Sequence, residues 1–157
     1  MRHGMESEGT MIRIRHFTEQ DAPVIGRNQY PGVPMAEIRE MISEWENNTC
    51  RGRYFEMFAV TRDGAVVGSV SLFEHTKSAV SVGVEIYPGE RRKGYAFTGM
   101  RLVMEHARAL HYRVILDQVR PDNPASVALH KRLGFETDGY IYKNAKGQDV
   151  LLFLLCL

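Results

Sequence analysis

The chain lacks the features of a disulfide-stabilised, metal-binding or nucleic-acid-binding protein. Its 157 residues include only two cysteines, Cys50 and Cys156, which are too few for a disulfide framework, and their spacing fits no metal motif. The formal net charge is only +1, so no overall positive field attracts nucleic acid or an anionic membrane. We therefore expect no metal and no nucleic-acid partner, and any anion site must be local.

Long apolar segments are missing as well. The first ten residues lack the apolar region of a secretory signal, so we interpret residues 1–10 as a flexible tail before a single domain at 11–157. The only long apolar run, Val150–Leu157, is far shorter than the stretch of about 20 residues that crosses a bilayer. We predict that this run is a strand buried on both faces, and that the protein is cytoplasmic with no membrane partner.

What the chain does have is the composition of one globular domain, with 44% hydrophobic and 25% charged residues. The spacing of its apolar residues changes between a period of two and a period of about 3.6, which separates strands from helices. Strands are predicted at 11–17, 54–61, 65–73, 79–87, 114–119, 135–142 and 150–157. Helices are predicted after residue 18, at about 35–45, from about 96 to 110 and at 125–133. The order β-α-α-β-β-β-α-β-α-β-β is that of an α/β (α+β) protein with about seven strands and four helices.

A basic loop joins the fourth predicted strand to the third predicted helix. Residues 90–96 read ERRKGYA, with Arg91, Arg92 and Lys93 followed by Gly94. The first N–H groups of a helix have no intrahelical partner, and the helix dipole is positive at that end, so a phosphate binds there readily. Glycine lets the backbone come close to such a ligand, and the three cations supply charge around it. The loop is therefore a predicted anion site.

The spacing Arg91-x-x-Gly94-x-Ala96 resembles the signature of the GNAT superfamily of N-acetyltransferases, whose loop holds the pyrophosphate of acetyl-CoA. A second stretch, which runs from Asn123 to Phe135, resembles the other coenzyme-side motif of that family. Together with the order of elements, the resemblance extends over about residues 12–157. It implies the GNAT fold, a mixed and mostly antiparallel sheet that is splayed between its fourth and fifth strands and flanked by helices.

The resemblance also implies which residues hold acetyl-CoA. The N–H of Ile86 would stabilise the oxyanion of the thioester, and backbone N–H groups of 92–96 would take the pyrophosphate. The candidate cofactor-binding residues are Ile86, Tyr87, Arg91, Arg92, Lys93, Gly94, Tyr95, Ala96, Asn123 and Ser126. No metal is required by this chemistry.

The implied activity is transfer of the acetyl group to a primary amine by direct attack in a ternary complex. His130 stands where many members of the family have the tyrosine that protonates the leaving thiolate, and Gln118 stands where some have a glutamate. We predict His130 as the candidate acid or base and Glu85 as the base that removes the amine proton. Both have a structural alternative, namely a hydrogen-bonded helix residue for His130 and a solvent-facing strand residue for Glu85.

The chain resembles two branches of the family that differ in the acceptor of the acetyl group, and the sequence does not decide between them. A small amine or amino acid is the acceptor in the phosphinothricin acetyltransferase-like branch, and a protein N-terminus is the acceptor in the ribosomal-protein N-terminal acetyltransferase-like branch. Tyr30 and Trp45, in the helical first third of the chain, are candidate substrate-binding residues, although Trp45 also fits a core position. An exposed edge or the apolar C-terminal strand would support a homodimer. The alternative function is a non-catalytic acyl-CoA-binding or interaction module on the same fold.

Overall fold

Eight strands and four α-helices succeed one another in residues 9–157, the part of the chain that the computed structural model describes. Of the tail predicted at residues 1–10, residues 1–8 lie outside that part. The strands are β1 (Ile12–His16), β2 (Thr49–Cys50), β3 (Arg53–Arg62), β4 (Ala65–Glu74), β5 (Ala79–Ile86), β6 (Val114–Val119), β7 (Ile141–Lys143) and β8 (Asp149–Cys156). The α-helices are α1 (Ala22–Asn28), α2 (Met35–Trp45), α3 (Tyr95–Ala109) and α4 (Pro124–Arg132).

The strands form one sheet in the order β1-β3-β4-β5-β6-β8-β7, and the two-residue β2 pairs with β3. Every neighbouring pair is antiparallel except β5 and β6, which are parallel. The predicted fold class is thus confirmed. Sequence periodicity did not indicate β2, which is too short to show alternation, so the fourth and fifth predicted strands are β5 and β6.

Helix α3 covers one face of the sheet. Its apolar stripe buries Met100, Val103 and Ala107 in the main core, together with side chains of β3 to β6 and β8. Helices α1 and α2 lie over a second cluster, in which Ile25, Ile38 and their neighbours pack near β3 and β4. None of the helices in residues 9–157 is long and apolar enough to cross a membrane.

The C-terminal region differs from the prediction in two ways. The strand predicted at 135–142 is reduced to β7, with one isolated bridge between Glu136 and Leu154, because Gly139 takes a left-handed conformation in the middle of the segment. Strand β8 is not buried on both faces, since Leu152 is 40% exposed and Leu154 is 38% exposed. The physical reason is that α1 and α2 pack near β3 and β4 and leave this face of β8 uncovered.

Candidate active site

Strands β5 and β6 separate soon after they meet. Their pairing consists of Ala79 opposite Val114 and Val80 opposite Ile115, after which the strands diverge. A cleft of about 730 Å³ lies in this region, bounded by the end of β5, the basic loop, the start of α3 and one face of α4. The splay that the family resemblance implied is therefore present between the expected strands.

The end of β5 presents unpaired backbone to this cleft. The N–H of Tyr87 donates to the carbonyl of Val67 on β4 at 2.9 Å. Because successive N–H groups of a strand point in opposite directions, those of Val84 and Ile86 point away from β4, toward the gap. The Ile86 carbonyl accepts a hydrogen bond from Nε of Arg91 at 2.8 Å, which ties the basic loop to the strand.

The basic loop ends in a left-handed residue, Gly94, with φ 83°, which caps α3. Within residues 9–157, the backbone N–H groups of 92–97 find no acceptor in the protein. They form a cluster of free donors at the positive end of a 15-residue helix. Such a cluster is suited to bind a phosphate or pyrophosphate.

Some of the charged side chains around this cluster line the cleft, and others are paired with each other. Arg91, Arg92 and Arg132 line the cleft. The carboxylate of Glu90 also reaches the cleft, but it is paired with Arg62 at 3.3 Å and with Lys93 at 3.4 Å. Lys93 itself does not line the cleft, so the cations of the cleft wall are the three arginines.

Helix α4 forms the opposite wall. Its N-cap is Asn123, whose Oδ1 accepts the backbone N–H of Ser126 at 3.1 Å, and Pro124 occupies the first helical position. Ala125 and Ala128 present only methyl groups to the cleft, which leaves it wide at this point. The guanidinium of Arg132 lies 4.1 Å from the centre of the Phe97 ring and so joins α4 to α3 at the end of the cleft.

Most of the predicted cofactor residues meet at this cleft. Eight of the ten line it: Ile86, Arg91, Arg92, Gly94, Tyr95, Ala96, Asn123 and Ser126. Tyr87 and Lys93 do not, since Tyr87 is buried behind β5 and Lys93 pairs with Glu90. The predicted site residues did not include seven other residues of the wall: Val84, Glu90, Phe97, Ala125, Ala128, Leu129 and Arg132. Four of these recur at helical spacing on one face of α4, a pattern that was available in the sequence.

Glu85 lies in the cleft wall and is exposed. Its Oε2 accepts a hydrogen bond from the Gln29 amide nitrogen at 3.1 Å, and that nitrogen also lies 3.2 Å from Oγ of Ser69. The Tyr87 hydroxyl donates to Oε1 of Gln29 at 3.4 Å. Burial, together with the negative charges of Glu85 and Asp21, raises the pKa of Tyr87 to about 12, so this hydroxyl keeps its proton.

His130 does not face the cleft. It is 4% exposed, its Nε2 lies 2.9 Å from Oδ2 of Asp117, and its Nδ1 lies 2.8 Å from the carbonyl oxygen of Ser126. A carboxylate and a carbonyl oxygen both accept, so these two contacts favour the imidazolium, which donates from both ring nitrogens. Burial alone would lower the pKa of His130, but the hydrogen bonds to Asp117 and Ser126 and the charge of Asp117 outweigh it and raise that pKa.

The catalytic role predicted for His130 therefore loses its geometric support. A general acid needs a proton-bearing atom within reach of the reacting group, and both nitrogens of this ring are occupied inside the protein. The structural alternative, a hydrogen-bonded helix residue, describes its surroundings. Its partner Asp117 was not among the predicted residues.

Neither predicted substrate residue lies at the cleft. Trp45 packs against Phe17, with the ring centres 5.4 Å apart, and is half-buried against the second core cluster, where it lines a small pocket with His16 and Met57. Tyr30 lines a separate groove between α1 and α2, together with Pro31 and Met35. The face of α2 that carries Trp45 turns toward the second core cluster, which keeps this ring away from the cleft. Within the described residues, no three His, Cys, Asp or Glu side chains converge as metal ligands.

Comparison with known proteins agrees with this geometry. Residues 12–136 match the model of the family described as Acetyltransferase (GNAT) domain. The L-methionine sulfoximine/L-methionine sulfone acetyltransferase of Pseudomonas aeruginosa is 31% identical over 100 residues, which cover 60% of this chain and 58% of that protein. The match thus spans less than two thirds of the length of this curated relative.

Solved structures share the fold at low sequence identity. The ribosomal L7/L12 alpha-N-protein acetyltransferase RimL, in complex with coenzyme A, superposes with a TM-score of 0.80 at 19% identity, over 95% of this chain and 96% of that chain. The spermidine N-acetyltransferase of Vibrio cholerae, in complex with CoA and spermine, gives a TM-score of 0.76 at 20% identity, over 92% and 95%. With the family match over residues 12–136, the chain belongs to the GNAT acetyltransferase family.

Proposed function

We propose that the chain is an acetyl-CoA-dependent N-acetyltransferase that acts on a primary amine by direct attack in a ternary complex. The observation that carries the proposal is the cluster of free N–H groups at 92–97, which lies beside a gap in the sheet. Family membership supports the same activity. Acetyl-CoA would supply the activated thioester. The residues of the chain would bind the coenzyme, take the proton of the amine and stabilise the oxyanion.

The fit of the cleft to the coenzyme rests on three of its parts. The N–H groups of 92–97 and the guanidinium groups of Arg91 and Arg92 match a pyrophosphate in charge and in hydrogen bonding. The N–H of Val84 offers a strand-like donor to an amide carbonyl of the pantetheine arm, and the N–H of Ile86 remains for the thioester. The small side chains of Ala125 and Ala128 leave room for that arm against α4.

Two groups of the chain would act on the reacting atoms. The N–H of Ile86 would donate to the thioester oxygen as negative charge develops there. The carboxylate of Glu85 would take the proton of the attacking amine, directly or through a water, because an alkylammonium with a pKa near ~10 is not a nucleophile. His130 is left out of the chemistry, since a thiol with a pKa near ~8.5 leaves as thiolate without an acid.

For the acceptor we propose a small amine or an amino acid. The relative that matches at 31% identity is named for its action on L-methionine sulfoximine and L-methionine sulfone, which are amino acids. A protein N-terminus is the competing acceptor, and its test belongs in the same experiment.

The experiment measures the release of free CoA thiol from acetyl-CoA by the full chain. The panel holds methionine sulfoximine, other amino acids, polyamines, aminoglycosides and peptides with free N-termini, and the blank without an amine corrects for hydrolysis. We expect turnover with a small amine or an amino acid. Silence across the panel, with CoA binding measurable by calorimetry, would contradict the enzyme and favour the non-catalytic acyl-CoA-binding module.

A further inference from the structure

A carboxylate stands at the point where β5 and β6 separate. Their parallel pairing keeps an offset of 35 residues, and continuing that register would bring Val82 opposite Asp117. The two backbones do not meet there. Instead, Oδ1 of Asp117 accepts the N–H of Val82 at 2.8 Å, so that the length of a side chain separates the strands.

The second oxygen of the same carboxylate reaches the opposite wall of the cleft. Oδ2 of Asp117 accepts Nε2–H of His130 on α4 at 2.9 Å, and Nδ1–H of His130 donates to the Ser126 carbonyl at 2.8 Å. The rings of Phe135 and Phe153 pack on the imidazole with centres 4.9 and 5.4 Å away. One side chain of β6 thereby connects β5 with α4.

Stability alone is a poor explanation for this pair. Asp117 is 3% exposed, and the removal of two charges from water offsets most of their attraction, so well-packed apolar side chains would often serve a core equally well. The position of the pair is what distinguishes it. It lies at the apex of the gap, just before the cleft residues of β5 and directly behind those of α4.

We propose that Asp117 and His130 form a buried strut that sets the width of the cleft and so positions its two walls for the coenzyme. This inference rests on the proposed function. Neither residue touches the coenzyme. The strut fixes the distance between the free N–H groups of Val84 and Ile86 on one side and the Ser126 and Leu129 wall on the other. Without it, β6 can close against β5 in the continued register, which narrows the cleft.

Calorimetric titration of the full chain with CoA tests the strut. Asp117→Ala removes both acceptors, and we expect Kd for CoA to rise by at least about 10-fold because the walls lose their preorganised spacing. Asp117→Asn keeps the shape, since its amide oxygen can accept from Val82 and its amide nitrogen can donate to a neutral His130. We expect Kd of this variant to stay within about 3-fold of the wild type, which makes the conservative change a rescue.

Glu56 on β3 provides a matched control. It is 6% exposed and also lies between imidazoles, with His16 at 2.6 Å and His106 at 2.7 Å, but it lines no part of the cleft. We expect Glu56→Ala to lower the melting temperature and to leave Kd for CoA unchanged. If Asp117→Ala lowers the melting temperature in the same way with an unchanged Kd, the pair is only structural and the strut is refuted.

A further variant covers the case in which Asp117→Ala does not fold. Asp117→Glu keeps the charge and both acceptors but lengthens the side chain by one methylene, so a strut of defined length predicts weaker CoA binding. If Asp117→Ala does not fold and Asp117→Glu binds CoA with the wild-type Kd, the strut is also refuted. A wild-type chain that does not bind CoA would instead overturn the proposed function, and the strut with it.

Discussion

The α-carbon of Gly68 on β4 lies so close to Glu85 on β5 that a methyl group on it would overlap the Glu85 carbonyl oxygen. The same methyl group would lie 2.9 Å from Cα of Ile86, which is opposite Gly68 in the sheet. Both contacts are with backbone atoms, which cannot swing aside as the end of a side chain can. The absence of a side chain at Gly68 therefore determines where the proposed base and the proposed oxyanion donor lie.

Gly68→Ala should move this wall of the cleft. We expect the free energy of unfolding to fall by about 1–3 kcal/mol, the usual effect of overpacking. We expect kcat/KM to fall by roughly 10²-fold, because a displacement of about 1 Å at a reacting group has that effect. Denaturant unfolding and steady-state kinetics measure the two quantities. Gly89→Ala is the control, since a methyl group there meets nothing within 4 Å, and both quantities should stay at the wild-type value.

Gly94→Glu should abolish CoA binding. The substitution places a carboxylate beside the N–H groups that we assign to the pyrophosphate, and like charges repel. Gly64→Glu is matched to it, because both glycines are left-handed, with φ 83° and 87°, and both have open space where a side chain would grow. The two variants should lose similar stability, while only Gly94→Glu loses affinity in calorimetry. Equal affinity in the two would refute the phosphate site.

Glu85→Gln should lower kcat and leave Kd for CoA unchanged. The amide keeps the shape of the side chain but cannot accept the amine proton, and a general base typically contributes about 10²- to 10⁴-fold in rate. The exposed Glu37→Gln on α2 is the control for loss of one negative charge. If kcat is unchanged at every pH tested, Glu85 is a residue of the cleft wall with no catalytic role.

The pH dependence of stability should report the imidazolium of His130. Because the folded-state pKa of His130 is raised, its contribution to stability is complete below the unfolded-state value of about 6.5 and is lost as the pH rises through the folded-state value. We expect the unfolding free energy to fall from pH 6 toward alkaline pH more steeply in the wild type than in His130→Leu. Urea titrations across that range measure the difference, and parallel curves would contradict a charged His130.

Local pattern and family resemblance together predicted most of the fold. Runs of β-branched and aromatic residues between turn signals located β3, β4, β5 and β6, and the stripe on α3 was visible because one face of that helix lies against the core. The predicted burial of the C-terminal strand was wrong for a different reason. Whether Leu152 and Leu154 are covered depends on where α1 and α2 pack, and no periodicity within β8 carries that information.

The site divides in the same way. The loop at 91–96 was predictable because backbone N–H groups at a helix start bind anions whatever the side chains are. The surroundings of His130 could not be predicted, because its position on α4 fixes where the side chain starts but not which neighbour it meets. Asp117 carried a signal that went unused, since an acidic residue at an inward-facing position of an apolar strand needs a buried partner.

The unfinished pairing of β5 and β6 also links the stability of the protein to the concentration of the molecule that fills the gap. Among residues 9–157, the N–H groups of Val84 and Ile86 pair with no strand. A ligand that binds only the folded state shifts the folding equilibrium toward that state. At a free concentration of 100 times Kd, this mass-action effect is worth about 2.7 kcal/mol. Under the proposed function, a cell rich in acetyl-CoA holds a chain that resists unfolding and proteolysis, and a depleted cell holds a more vulnerable one.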